Sequence, residues 1–279
     1  MKKYIVLILV LIHILLNLTE VQAAGGISYQ IDMLNWQEVD KILPRYSTFT
    51  VLDVETGKKF NVQRRAGSNH ADVQPLTVKD TTIMKKIYGG KWSWKRRAII
   101  VIYKKQWIAA SMHGMPHGAG ALNNNFPGHF CIHFYGSTTH RTNNMDRSHM
   151  LMILKAAGKL DDYLAKANPY EVINAYIAGI KQQDTRIIAE TSLQKVNWKP
   201  VFKKVENIGI GKMEQLFPED IFGELSISVP IEMDWKIKNK GSIKYKGVIQ
   251  LVRFSPEDRW KVDSISFLAE NNFLTKKHL

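Results

Sequence analysis

Seven of the nine histidines lie between His70 and His149, and the single cysteine, Cys131, sits among them. They are His70, His113, His117, His129, His133, His140 and His149. In Gly128-His-Phe-Cys-Ile-His-Phe, the apolar Phe130, Ile132 and Phe134 alternate with His129, Cys131 and His133. Successive side chains of a strand point to opposite faces. The alternation therefore predicts a strand with three apolar residues toward a core, and His129, Cys131 and His133 sharing the other face. A thiol between two imidazoles suits nucleophilic catalysis, because the thiolate attacks and an adjacent imidazolium stabilises it. Upstream, Ser111-Met-His113-Gly114-Met-Pro-His117 ends another apolar run. Either His113 or His117 can approach the thiol from a neighbouring strand as general base.

Other chemistries compete for the same residues. His70-Ala-Asp72 together with His117, His129 or His133 offers nitrogen and oxygen ligands for zinc, as a zinc-dependent cell-wall peptidase would need. His129 and His133 are four apart, which on a strand is roughly 13 Å, so both cannot hold one ion. His70 and Asp72 are two apart and can. The thiol route needs no cofactor. Cys131 as a buried structural thiol is the plain alternative to both. His140 and His149 fall in a polar stretch and read as loop or helix-surface residues. Lys91-Trp-Ser-Trp-Lys-Arg-Arg97 interleaves aromatics with cations, which suits sugars or anionic polymers and hence a non-catalytic envelope-binding protein. It also suits a strand end with snorkelling basic side chains.

The elements that would position these residues follow from period and punctuation. Ser47 to Val54 alternates, Glu55-Thr-Gly-Lys turns, and Lys59 to Arg64 returns as the second arm of a hairpin. Thr77 caps a helix to Tyr88, stopped by Gly89-Gly90. Arg97–Tyr103 and Gln106–Met112 form a second hairpin, followed by a Gly-, Pro- and Asn-rich loop from Gly114 to Gly128. A helix is predicted over Ser148–Lys166. Asn168-Pro-Tyr-Glu places Asn at an N-cap, Pro at the first helical position and Glu at the third, and Asp184 caps a shorter helix to about Leu193. Thereafter Ser226–Ile237, Ser242–Phe254 and Arg259–Phe267 read as three strands. The fold class expected is α+β, with a mainly-β first half and helices followed by a meander in the second.

Two resemblances attach to these motifs. His113-Gly-Met-Pro, then Gly128-His129-Phe130-Cys131-Ile132-His133, with the hairpin at Val51-Leu-Asp-Val-Glu-Thr-Gly-Lys, resembles the L,D-transpeptidase (YkuD-type) catalytic domain over about residues 48–135. The resemblance implies Cys131 as nucleophile, His113 (or His117, on geometry) as base, and His129 as the motif histidine. His133 would stand in for the family's substrate-binding Arg, while Gly128 and Phe130 replace its Ser/Thr and Gly. The family's Thr-Pro-x-Gly segment is missing. Asn168-Pro-Tyr-Glu-Val-Ile-Asn-Ala-Tyr-Ile and the ending Gly247-Val-Ile-Gln-Leu-Val-Arg…Trp260-Lys-Val-Asp resemble an NTF2-like cone domain, usually an accessory or binding module. The organisation implied is a signal peptide over 1–23, an L,D-transpeptidase-like domain over 27–147, a connecting helix over 148–166 and an NTF2-like domain over 167–279.

The whole chain, 279 residues with 45% apolar and 23% charged, excludes a disordered chain, a collagen and a polytopic membrane protein. Lys2-Lys3, the apolar run Tyr4–Leu16 and Val21-Gln22-Ala23 read as a secretory signal peptide, the run being short for a membrane span, with an uncleaved anchor as the alternative. No Cys follows the run, so a lipoprotein is not expected, and a lone Cys131 leaves no internal disulfide. The net charge of +14 favours anionic partners. Secretion turns that expectation from nucleic acid toward peptidoglycan or another anionic polymer of a bacterial envelope. The function expected is cysteine acyl transfer on peptidoglycan stem peptides, through a thioester, of transpeptidase or carboxypeptidase type.

Overall fold

In the computed structural model, residues 30–139 and 144–274 are described. The expected signal peptide and His140 lie outside them. Strand β1 (Ile31–Asp32) and helix α1 (Trp36–Ile42) lead into hairpin β2 (Thr48–Asp53) and β3 (Lys59–Ala66), then β4 (Ala71–Pro75). Helix α2 (Val78–Ile87) starts at Thr77, whose side chain accepts the Asp80 amide, and Asp80 accepts in return from the Thr77 amide. Hairpin β5 (Arg96–Tyr103) and β6 (Gln106–His113) precedes the long loop, and β7 (Phe130–His133) follows it. The strand order is β1-β6-β5-β2-β3-β4-β7, and β7 also pairs with β6. Six strands thus close into a barrel, with β1 added in parallel outside β6.

Period-two patterning fills the interior. Phe49, Val51, Phe60, Val62, Val73, Ile99, Val101, Ile108, Ala110, Met112, Phe130 and Ile132 pack as one core, capped by Met84 and Ile87 of α2. Strand β4 escaped the alternation rule because all five of its residues are buried. One face turns inward, while the other lies under the loop. Gln74 anchors that loop: its Oε1 accepts the Ala121 amide at 2.9 Å and its Nε2 donates to Gly128 O at 2.8 Å.

The second half begins with α3 (Arg147–Ala156) and α4 (Leu160–Ala165). The single helix expected over Ser148–Lys166 is therefore two, broken where Gly158 takes φ +69°. Helix α5 (Pro169–Gln182) starts as expected, with Asn168 Oδ1 accepting the Glu171 amide and Glu171 accepting from the Asn168 amide. It is followed by α6 (Thr185–Thr191), α7 (Lys199–Lys204), β8 (Val205–Met213), β9 (Ser226–Ile237), β10 (Gly241–Val252), β11 (Lys261–Val262) and α8 (Ser264–Glu270). The sheet order is β11-β10-β9-β8, all antiparallel, a half-barrel wrapped on α5. Tyr176 is its buried centre, its hydroxyl donating to Ser264 Oγ at 2.9 Å. The strand expected over Arg259–Phe267 is cut to two residues, because Asp263 accepts the amides of Ile265 and Ser266 and starts a helix instead.

Helix α3 links the two sheets. Ala98 and Ala109 on the barrel wall let Leu151, Met152, Ile153 and Leu154 approach closely, and Ala175, Ala178 and Ile187 pack on the same cluster. The architecture is mixed α+β, a closed barrel and a half-barrel. Among the described residues no helix is long and apolar enough to cross a membrane.

Candidate functional site

Strand β7 realises the alternation at the cysteine. Phe130 points into the barrel, its ring 6.3 Å from that of Phe60 and 5.7 Å from that of Phe126. Cys131 points outward, opposite Asp72 of β4, and His133 stands opposite Ser111 of β6. The barrel closure thus brings β4, β6 and β7 together at one patch. The loop then folds back over it: His117 and His129 exchange backbone hydrogen bonds of 2.9 Å in both directions. Two glycines permit this approach. A Cβ on Gly128 (φ +118°) would sit 2.5 Å from His117 O, and one on Gly118 (φ +60°) would sit 2.4 Å from the His129 ring.

Cys131 Sγ lies 3.3 Å from His117 Nε2 and 3.6 Å from Asp72 Oδ1. His117 Nδ1 lies 3.1 Å from Met115 O. A carbonyl can only accept, so Nδ1 carries the hydrogen and Nε2 presents its lone pair to the thiol. Cysteine, histidine and an orienting carbonyl thus stand in series. His113 was the other candidate base. Its Nδ1 instead accepts the Met115 amide at 3.3 Å, with its ring 5.2 Å from that of His117. One of its ring nitrogens lies within 4.8 Å of Sγ, but no hydrogen bond joins it to the thiol.

On the other side of the thiol, Asp72 Oδ1 is 3.3 Å from His70 Nε2 and 3.8 Å from His129 Nε2. His70 Nδ1 is 2.8 Å from Thr138 O. Both His70 nitrogens face acceptors. His70, His133 and His149 stack ring on ring, 4.3 and 3.8 Å between centroids. His149 is buried, its Nδ1 2.9 Å from Ser111 Oγ. The expectation of a loop or surface position for His149 is corrected: α3 lies on the barrel, and its first turn delivers the ring inward. His133 is buried within this stack, and the Phe130 side chain lies in the core. Gly128 serves the backbone, its carbonyl held by Gln74.

The electrostatics run against a resting thiolate. Burial pushes the Cys131 thiol well above its ordinary pKa, and the Asp72 carboxylate pushes it further. The imidazolium-stabilised thiolate expected from the motif is not what this environment favours; the resting group is a neutral thiol. Burial also holds His113 and His149 well below the usual imidazole range, helped for His113 by Arg96 and for His149 by His133. His113 and His149 are thus kept neutral.

The site can also be considered as a ligand set. Three groups have ligand atoms all within 4.8 Å of one another: His70, Cys131 and His133; His113, His117 and Cys131; Asp72, His129 and Cys131. Each includes Cys131, which the zinc set of His70, Asp72, His117 and His129 left out.

Several contributors gave no clear signal in the sequence. The Met115 carbonyl, Ser111, Thr138 and Gln74 act through backbone or short polar contacts. Trp94 had a signal, the Trp-Lys alternation, but its place was hidden. Its half-exposed ring lies 4.7 Å from His113 and 5.5 Å from His117, at the mouth of the site. Comparison with known proteins finds no matching family model, no matching curated protein and no matching solved structure.

Proposed function

We propose that this chain is a secreted bacterial envelope enzyme that transfers acyl groups through Cys131, acting on peptidoglycan stem peptides. On this proposal the barrel is of the L,D-transpeptidase type and the half-barrel is an NTF2-like domain. The observation that carries it is the relay of Sγ to His117 Nε2 at 3.3 Å and His117 Nδ1 to Met115 O at 3.1 Å. The lysines ahead of the apolar run and the small residues after it support export.

The chemistry starts from the protonated thiol. Sγ attacks the peptide carbonyl carbon while its proton passes to His117 Nε2, so the thiolate never accumulates. The Met115 carbonyl steadies the imidazolium that forms. Collapse of the tetrahedral intermediate breaks the C–N bond. His117 returns the proton to the departing amine and leaves a thioester on Cys131. An acceptor amine then gives a cross-link, or water gives a carboxypeptidase reaction, and the thiol is restored.

The test is turnover of a purified stem peptide, with intact mass to trap the thioester. Cys131→Ala is expected to abolish both, and His117→Ala to lower kcat/KM by about 10²–10⁴-fold. His113→Ala should retain the thioester. The three ligand-sized groups around Cys131 favour a second reading, a zinc peptidase. Activity lost to a chelator, with zinc bound stoichiometrically, would replace the first reading with that one.

A further inference from the structure

A cleft of about 660 Å³ opens beside the relay, lined by Trp94, Lys95, Arg96, Met115, Lys181 and Lys236. Its position follows from the fold. Trp94, Lys95 and Arg96 lead into β5 of the barrel, Lys181 lies in the last turn of α5, and Lys236 lies on β9 of the half-barrel. Both halves therefore supply walls. Met115 also provides the carbonyl that orients His117, and the Trp94 ring lies against that histidine. A group bound in the cleft is within one side chain of the thiol's base.

The cleft's charge is lopsided. Lys236 pairs with Glu206 at 3.4 Å, and Arg96 with Asp146 at 2.9 Å. Among the described residues, Lys95 and Lys181 make no ion pair, and Arg96 Nε is buried without a hydrogen-bond partner. Lys95 and Lys181 are each partly buried. Removing an ammonium from water without a counter-charge is costly, and a bound anion offsets that cost. Burial accordingly lowers the pKa of both lysines; for Lys181 the Arg96 charge lowers it further and Asp146 offsets part of the shift. Glu206 is the cleft's own acid, and Asp146 is already engaged by Arg96. The aromatic face of Trp94 beside these cations suits a ligand with an apolar or backbone surface next to its charge, rather than a bare inorganic ion.

We propose that this cleft binds a free carboxylate of the peptide substrate, held by Lys95 and Lys181 with the adjoining chain laid on Trp94. The half-barrel is then a wall of the substrate site, not an appendage. The inference rests on the acyl-transfer proposal for its location but can be tested without turnover. Binding is measured by calorimetry on the full chain carrying Cys131→Ser, using a synthetic tetrapeptide with a free C-terminus and the same peptide as its amide.

The free acid is expected to bind at least about tenfold more tightly than the amide, as a charge-assisted bond lost would give. Lys181→Gln and Lys95→Gln should each erase most of that difference, and Lys181→Arg should keep it. The advantage should shrink as salt rises. Equal affinity for acid and amide would overturn the assignment. So would an acid preference that survives both Gln substitutions, or inorganic polyphosphate displacing the peptide while binding more tightly. A preserved acid preference in a wild-type chain that never forms a thioester would leave the cleft assignment standing and remove the catalytic one.

Discussion

At the level of single side chains, the thiol and its histidines set opposite demands on pH. Cys131 has a raised pKa in the folded chain, so the folded state holds its proton where the unfolded chain releases it. Its contribution to stability is complete below the ordinary thiol range, about 8.5, and falls as pH rises above it. His113 and His149 have depressed pKa values from a reference of 6.5. The unfolded chain binds those protons first, so their contribution is present above about pH 6.5 and is lost as pH falls through and below it. The melting temperature should therefore decline from pH 7 to pH 5, and His149→Gln should flatten that decline while lowering the value at pH 7. A midpoint independent of pH between 7 and 5 would contradict the buried neutral rings. Alkylation gives the matching kinetic expectation for the thiol. Folded protein should react slowly at pH 7, with a midpoint above 8.5, and unfolded protein at the ordinary rate. Fast reaction below pH 7 would mean a resting thiolate.

Among elements, those with a clean period were legible and those under special demands were not. Strand β7 could be read to the right face because the barrel core takes Phe130 and Ile132, leaving Cys131 to the outside. The same rule could not find β4, whose two faces are both buried, because Asp72 and Gln74 are covered by the loop. It also missed β8, where register shifts between Val205 and Asn207 and between Ile210 and Lys212 break the alternation, with Gly209 and Gly211 weakening the strand signal. The partner strand of the cysteine was therefore invisible, and with it the Asp72 to Cys131 contact. His117 as base was one of two equal candidates, since a spacing cannot say which ring a folded-back loop presents. The loop's approach is testable at Gly128. A methyl group there would strike His117 O at 2.5 Å, at a φ of +118° that L side chains rarely adopt. Gly128→Ala should cost about 1–3 kcal/mol of stability. It should also lower acyl transfer further than that loss explains, because His117 leaves Sγ. Unchanged kcat/KM in a destabilised variant would separate the glycine from the relay.

For the molecule as a whole, the two sheets are joined by chemistry that is not interchangeable with surface charge. Lys155 on α3 donates to Glu55 Oε1 at 3.0 Å, in the turn between β2 and β3, and to Asp184 Oδ2 at 2.5 Å, at the cap of α6. Lys155 is 8% exposed and Asp184 3%. Asp184 also accepts the amides of Arg186 and Ile187, so it caps the helix and holds the lysine with the same carboxyl. Glu55 in turn meets Arg97, which clamps the fully buried Asp53 through two bonds of 2.6 and 2.9 Å. The chain of charges runs from the barrel strand β5 to the helices that cover the half-barrel. Exposed pairs such as Lys212 with Glu214 carry little stability, because water screens them. The Lys155 pair is different, since removing one partner strands a buried carboxylate. Lys155→Met should therefore cost about 3–5 kcal/mol. Because α3 packs on the barrel and on α5 together, the loss should lower the melting of both sheets in a single cooperative transition. Calorimetry decides it: a barrel transition that stays in place while a separate half-barrel transition moves would mean that the two sheets fold independently. A common shift would mean that the cleft wall and the thiol stand or fall as one body.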